Sequence, residues 1–167
     1  LLSAIYTSLG VAILGVLIKK VTKNTFISFA LGTLVSVCPM LWRVSVVADP
    51  HSLHFLFTSI YLFLTYKISE EKEIHLLPIL YLVTGVSLGN HMLSVFFLPA
   101  LLVTSFPTFK RKEWVLLGKS VLFLLLGSSV YLSLFIISSF KPPLTIDYSI
   151  RTLSDLRKIV FGQDFSG

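Results

Sequence analysis

Apolar stretches approaching or exceeding the length of a bilayer crossing recur along most of this chain, and no other feature restricts its fold as strongly. They occupy residues 1–18, 26–47, 53–66, 76–88, 92–106 and 114–139, and the charges fall in short clusters between them. A hydrocarbon core about 30 Å thick asks for about 20 apolar residues of helix. Composition agrees: 13% of the residues are charged and 54% hydrophobic, where a soluble domain carries about 25% charge. A secretory leader would supply one short apolar run near the start, whereas here the runs continue to Ser139. The expected fold is all-α, a polytopic transmembrane helical bundle of about six spans. Residues 1–139 would form the bundle, as part of a larger membrane domain, and residues 140–167 the start of an outer-side segment. The fourth run, 76–88, is short and would borrow the turn at Ile74 and His75 or form a hairpin with the fifth.

The clusters between runs set an orientation. Alternating spans put Lys19, Lys20, Lys23, Lys67, Lys72, Lys110, Arg111 and Lys112 on one side. The opposite loops hold Arg43 and, at Gly89-Asn90-His91, no Lys or Arg. Short loops rich in Lys and Arg face the cytoplasm, so both ends of the chain are expected outside, in the lumen or periplasm. The net charge of +6 then reads as a topology and anionic-lipid signal. No nucleic-acid motif accompanies it. The chain opens at Leu1 inside an apolar run and closes at Gly167 in a polar one, so an internal piece of a longer protein is expected. Cys38 stands alone beside Pro39, a small buried hydrophobe in expectation.

Polar residues with chemical capacity gather on the outer side. Arg43, Asp49, His51 and His54 lie in or beside the second outer turn. Asp49 followed by Pro50 is a favoured helix start, and Arg43 can simply reach lipid headgroups. The functional alternative is a carboxylate held at the surface as base or metal ligand, with Arg43 on a lipid phosphate. Gly89-Asn90-His91 likewise either ends a helix, through a left-handed Gly or Asn, or presents Asn90 and His91 to a ligand. His51 and His54 lack a third ligand nearby in sequence, and no metal site is expected. Past Pro142-Pro143 the chain must leave the helix. Ile150, Leu153, Leu156, Ile159 and Val160 then recur at helical spacing, the pattern of an amphipathic helix lying on the membrane or on the rest of the protein.

Three segments in order carry a family resemblance. Ser45-Val46-Val47-Ala48-Asp49-Pro50-His51-Ser52-Leu53-His54-Phe55-Leu56-Phe57 is similar to S-x-x-A-E-x-Y-x-L-N-x-L-F. Gly85-Val86-Ser87-Leu88-Gly89-Asn90-His91 matches G-x-x-L-G-N-H. Lys141-Pro142-Pro143-Leu144-Thr145-Ile146-Asp147, running on through Arg151-Thr152-Leu153, resembles N-P-P-L-N-W-(G/D)-x-P-x-T-L with one extra residue. These are motifs of the transmembrane-protein-260-like family (domain of unknown function 2723), within the GT-C glycosyltransferases, and the likeness covers essentially the whole chain. Here Asp49 stands in place of Glu, His51 of Tyr, His54 of Asn and Ile146 of Trp. The family's acidic G-D-x-G-E loop precedes everything present, as for a chain that starts in the family's second span.

The resemblance implies a multi-pass membrane enzyme of the bacterial inner membrane or endoplasmic reticulum. It would transfer a hexose such as mannose from a polyprenyl (dolichyl or undecaprenyl) phosphate carrier to a protein or glycan acceptor on the outer side. Asp49 is the expected catalytic carboxylate. Arg43, His51, His54, Asn90, His91 and Lys141 are expected to bind substrate or lipid phosphate, and no cofactor beyond the lipid-linked donor is implied. A residue-based alternative keeps a non-catalytic membrane scaffold or a transporter of lipid-linked substrate. Transporters place polar groups near the midplane, and the middles of these runs are almost free of charge. The expected partners are the bilayer, the donor and the acceptor, without nucleic acid.

Overall fold

Each break in the apolar pattern becomes a helix boundary with an identifiable cause. The computed structural model describes residues 1–47 and 49–130, and beyond them Leu132, Thr152 and Ser154. Lys141, the 150–161 helix, the 140–167 segment and the end of the sixth run were sequence expectations; apart from Leu132, Thr152 and Ser154 they lie outside the described residues. Helix α1 (Leu2–Thr22) stops where Lys23 turns left-handed, φ 54°, and its N–H returns to the Lys19 carbonyl. The Asn24 side chain accepts the N–H groups of Phe26 and Ile27 at 2.8 and 3.1 Å and so opens α2 (Thr25–Ser36). Pro39 cannot donate to the preceding turn, and α3 (Pro39–Val46) sets off at 61° to α2. Asp49 caps α4 (Pro50–Ser69), with Pro50 in its first turn as expected. A 3-10 turn at Ile74–Leu76 leads into α5 (Leu77–Asn90), the extra turn that the short fourth run needs. A second 3-10 segment, Met92–Phe96, runs into α6 (Phe97–Lys110), and α7 (Trp114–Ser128) follows.

Contacts fix the helix directions. Lys20 Nζ lies 2.6 Å from Glu71 Oε1, and the Tyr66 hydroxyl reaches the Lys20 carbonyl at 3.4 Å. The ends of α1 and α4 therefore sit together, and the two helices run the same way with α2 and α3 returning between them. The start of α4 meets the end of α5, where Asn90 Nδ2 donates to the Pro50 carbonyl at 3.2 Å. Helices α5 and α7 are parallel and touch backbone to backbone, with Gly85 against Gly127 and Gly89 against Val130. Turns rich in Lys thus collect at one end of the bundle and the Asp49-Pro50-His51 and Gly89-Asn90-His91 turns at the other, which is the separation the alternation argument calls for.

The interior is made of small polar residues and the surface of large apolar ones. Thr84, Ser87, Ser94 and Ser120 are completely buried, while Phe26, Phe29, Leu102 and Val115 are at least 70% exposed. Several buried hydroxyls are satisfied within their own helices: Thr84 donates to Leu80 O at 2.8 Å, Ser105 to Leu101 O at 2.7 Å and Ser120 to Leu116 O at 2.8 Å. Lipid gives no drive to bury Leu over Ser, and small residues let helices approach. A short apolar core of Tyr61, Leu64, Ile68, Leu77, Leu80, Tyr81 and Leu101 ties α4, α5 and α6 together. These features are those of a membrane protein.

The count of spans differs from the expected six. By length and apolarity the described residues supply two, Leu2–Thr22 and Met92–Lys110, and a third if the bent pair α2 and α3 crosses as one. Ile74–Asn90 and Trp114–Ser128 are apolar but short. The 20-residue α4 is long enough, and its imidazoles and hydroxyls hold its hydropathy down.

Candidate functional site

The turn between α3 and α4 and the turn between α5 and α6 converge, although some 40 residues separate them (Asn90 to Pro50). Asp49 and Pro50 hold the start of α4, where Asp49 Oδ1 accepts the His51 N–H at 2.8 Å and also contacts the His51 ring through Nδ1. Ser52 turns inward and donates to the Asp49 carbonyl at 2.8 Å. The Asn90 amide then clips α5 to this turn. The expectation of a left-handed Gly89 or Asn90 is not met. Both are helical, and the chain leaves α5 at an extended His91 whose Nδ1 accepts the Leu93 N–H at 3.1 Å. The extended His91 closes α5 by donating its N–H to the Ser87 carbonyl at 3.0 Å, while its ring caps the segment that follows.

Three imidazoles meet at this junction. The His91 ring lies 4.7 Å from that of His51 and 5.0 Å from that of His54, centroid to centroid. His54 stacks on Phe97 at 5.8 Å, and Phe97 on Tyr61 at 4.4 Å. Tyr61 closes the ladder by donating to the Phe97 carbonyl at 2.8 Å. On the other edge of His54, Nδ1 sits 3.3 Å from Ser94 Oγ, which hydrogen-bonds Ser87. Sequence reasoning missed Ser87, Ser94, Phe97 and Tyr61 as supports. The signal that could have found Ser87 and Ser94 is a pair of hydroxyls flanking Gly-Asn-His, two residues before Gly89 and three after His91.

Arg43 is the residue the structure does not bring in. It is exposed on α3, and among the described residues it makes no ion pair. Its field still contributes to Asp49, whose carboxyl is held below its ordinary 3.8, first by the His51 backbone N–H, then by the His51 side chain, with Arg43 last. Burial pushes His91 below 6.5, and the neighbouring His51 adds to this while Asp49 opposes it. Among the described residues no group of three or more His, Cys, Asp or Glu side chains is placed to hold a metal ion.

These shifts make the junction acid-sensitive. Both groups bind protons less readily folded than unfolded. The His91 contribution is complete above its unfolded value of 6.5 and is lost as pH falls from there through its folded value. Asp49 adds a loss below 3.8. The melting temperature in detergent should fall as the pH drops below 6.5, and fall less in His91→Gln. An equal fall in both proteins would remove His91 from the account.

The arrangement offers a carboxylate–imidazole pair, further imidazoles and an amide at one end of a membrane bundle, with Arg43 nearby. That set can accept a proton and hydrogen-bond an anionic or hydroxyl-rich ligand. Compared with known families, residues 1–115 match the family model described as Protein O-mannosyl-transferase TMEM260 N-terminal domain. No curated protein and no solved structure matches the chain.

Proposed function

The chain belongs to the protein O-mannosyl-transferase TMEM260 N-terminal family, and on that premise we propose that it forms part of a membrane mannosyltransferase of the GT-C type. The donor is a polyprenyl-phosphate-linked mannose and the acceptor a protein hydroxyl on the luminal or periplasmic side. The observation that carries this reading is the convergence of the Asp49-Pro50-His51 and Gly89-Asn90-His91 turns, two of the three places that carry the resemblance, at the end of the bundle opposite the lysines. A lipid-linked donor keeps its phosphate at the interface, so a proton acceptor and polar ligands are needed at that depth. His91, Asn90 and His54 line the meeting point, Arg43 and Lys141 supply cations for the phosphate, and Asp49 with His51 supplies acid–base capacity.

This reading requires six crossings with the junction outside. Helix α4 at 20 residues spans about 30 Å, and its hydroxyls are satisfied internally, Thr58 on His54 O at 2.8 Å and Ser59 on Phe55 O at 3.0 Å, as lipid demands. Single cysteines in a Cys38→Ser background test the topology. Val47 and Met92 are 54% and 60% exposed at the junction end, and Glu70 and Lys112 are exposed at the lysine end. An impermeant thiol reagent added from outside should label positions 47 and 92 and spare 70 and 112. Labelling of 70 and 92 from the same side would break the topology. Mannosyl transfer by the intact protein tests the activity itself.

A further inference from the structure

We propose that the cavity between α1 and the bent α2–α3 pair is a subsite for a neutral hexose ring, with Trp42 as its stacking platform; only the source of that hexose rests on the transferase reading. The cavity measures about 460 Å³, within the range of small-ligand clefts. Thr7 and Ser8 of α1, Ser36 of α2, and Trp42 and Ser45 of α3 stand on its walls, and no charged side chain does. A second cavity, between Ala12, Ile13 and Val16 of α1 and Ile60, Phe63 and Leu64 of α4, has a wholly apolar wall of the kind a lipid chain fills. The hydroxyls set the first one apart.

Thr58, Thr84 and Thr104 each donate to the carbonyl four residues back, at 2.8 Å. Thr7 does not. The residue is 7% exposed, and its buried hydroxyl has no hydrogen-bond partner among the described residues. A hydroxyl left unpaired inside a protein carries a cost that a bound polar group removes. Ser36 and Ser45 donate to Thr33 O and Trp42 O, both at 2.7 Å, so their oxygens keep lone pairs for an incoming O–H. Val37, on the same wall, belongs to the break between α2 and α3. Backbone outside a helix is tolerated at membrane depth where it is buried in protein or lines a wet cavity.

A pyranose carries C–H groups on its faces and hydroxyls round its edge. The negative face of an indole attracts C–H groups, and Trp42, 63% exposed, is open to such a partner. The surrounding hydroxyls both donate and accept, as the edge of a sugar requires. A phosphate in the cavity itself would lack a cation, since the wall has none. The depth fits as well. The Phe55 ring stands against Gly10, so Thr7 and Ser52, each three residues nearer the helix start, lie at one level in parallel helices. Ser45 is four residues from Asp49, at most about 15 Å of chain. The subsite therefore lies beside the turn that carries Asp49 and His51.

The test uses the intact protein in detergent and an alkyl mannoside bearing a diazirine, cross-linked by light and mapped by mass spectrometry, so that no transfer is needed. Label should fall between Ser36 and Val46. The plain alkyl mannoside should compete it away, and an alkyl phosphocholine of equal chain length should not. Trp42→Ala should weaken the mannoside's competition about tenfold, and Trp42→Phe should retain most of it. Trp42 is exposed, so both variants should melt like the wild type. Trp114→Phe, at the lysine end, should change nothing. Equal competition by the phosphocholine would make the cavity a lipid seat and overturn the proposal. Absence of label there, or unweakened competition in Trp42→Ala, would overturn it too. Transfer kinetics of Trp42→Ala then give the source: a raised KM for polyprenyl-phosphate mannose assigns the hexose to the donor, and a raised KM for a mannosylated acceptor assigns it to the acceptor. Competed label in a protein that moves no mannose would overturn the transferase reading and leave the subsite standing.

Discussion

Gly85→Leu should leave α7 undocked from α5 and remove the cooperative melting of the bundle. A side chain at Gly85 has nowhere to go: its first carbon would lie 2.9 Å from Ser128 N and 3.0 Å from Gly127 Cα, and these are backbone atoms that no rotamer change can move. The same holds in reverse at Gly127, whose added carbon would meet Val86 N at 2.8 Å. Even Gly85→Ala should cost about 1–3 kcal/mol, the range for overpacking a tight contact. Two comparisons isolate the cause. Nothing lies within 4 Å of a carbon added at Gly118, so Gly118→Ala should be neutral or stabilise by up to about 1 kcal/mol through helix propensity. At Gly89 the added carbon meets the Val130 side chain at 3.3 Å, which can shift, so its cost should be intermediate. Equal melting of Gly85→Ala and Gly118→Ala would contradict the close crossing.

Asn90→Ala should separate stability from activity. Among the described residues the amide makes a single bond, to the Pro50 carbonyl at 3.2 Å, so its loss should cost about 0.5–1.5 kcal/mol and leave the bundle folded. Its position matters more than its energy, because this bond aligns the turn carrying Asp49 and His51 with the turn carrying His91. A displacement of about 1 Å at a reacting site can cost about 100-fold in rate. The expected result is therefore a small drop in melting temperature with a large drop in transfer. Proportionate small losses in both would show that the two turns act separately.

Local features of the fold were legible in the sequence because each is set by a residue's own chemistry. Asp49-Pro50 starts a helix through a carboxylate cap and a fixed φ, Pro39 interrupts one, and the Lys clusters fall at one end. The short fourth run announced its need for the Ile74–His75 turn. What pattern could not give was relative position. The 61° bend at Pro39 depends on how α3 packs against α1. His91 joining His51 and His54 depends on the direction of α5, and the role of Gly85 depends on Gly127 arriving beside it. In the two described motifs the polar residues were legible one by one, while their meeting needed the three-dimensional path. Arg43, expected at lipid headgroups or a lipid phosphate, stands exposed on α3 and makes no ion pair among the described residues.

The most direct measurement is mannose transfer by the intact protein, reconstituted in proteoliposomes with polyprenyl-phosphate mannose and offered a Ser/Thr-containing acceptor protein on the Met92 side. The expected result is O-linked mannose on the acceptor, reduced by about 100-fold in Asn90→Ala at nearly unchanged melting. A folded wild-type protein that neither transfers nor hydrolyses the donor would contradict the account.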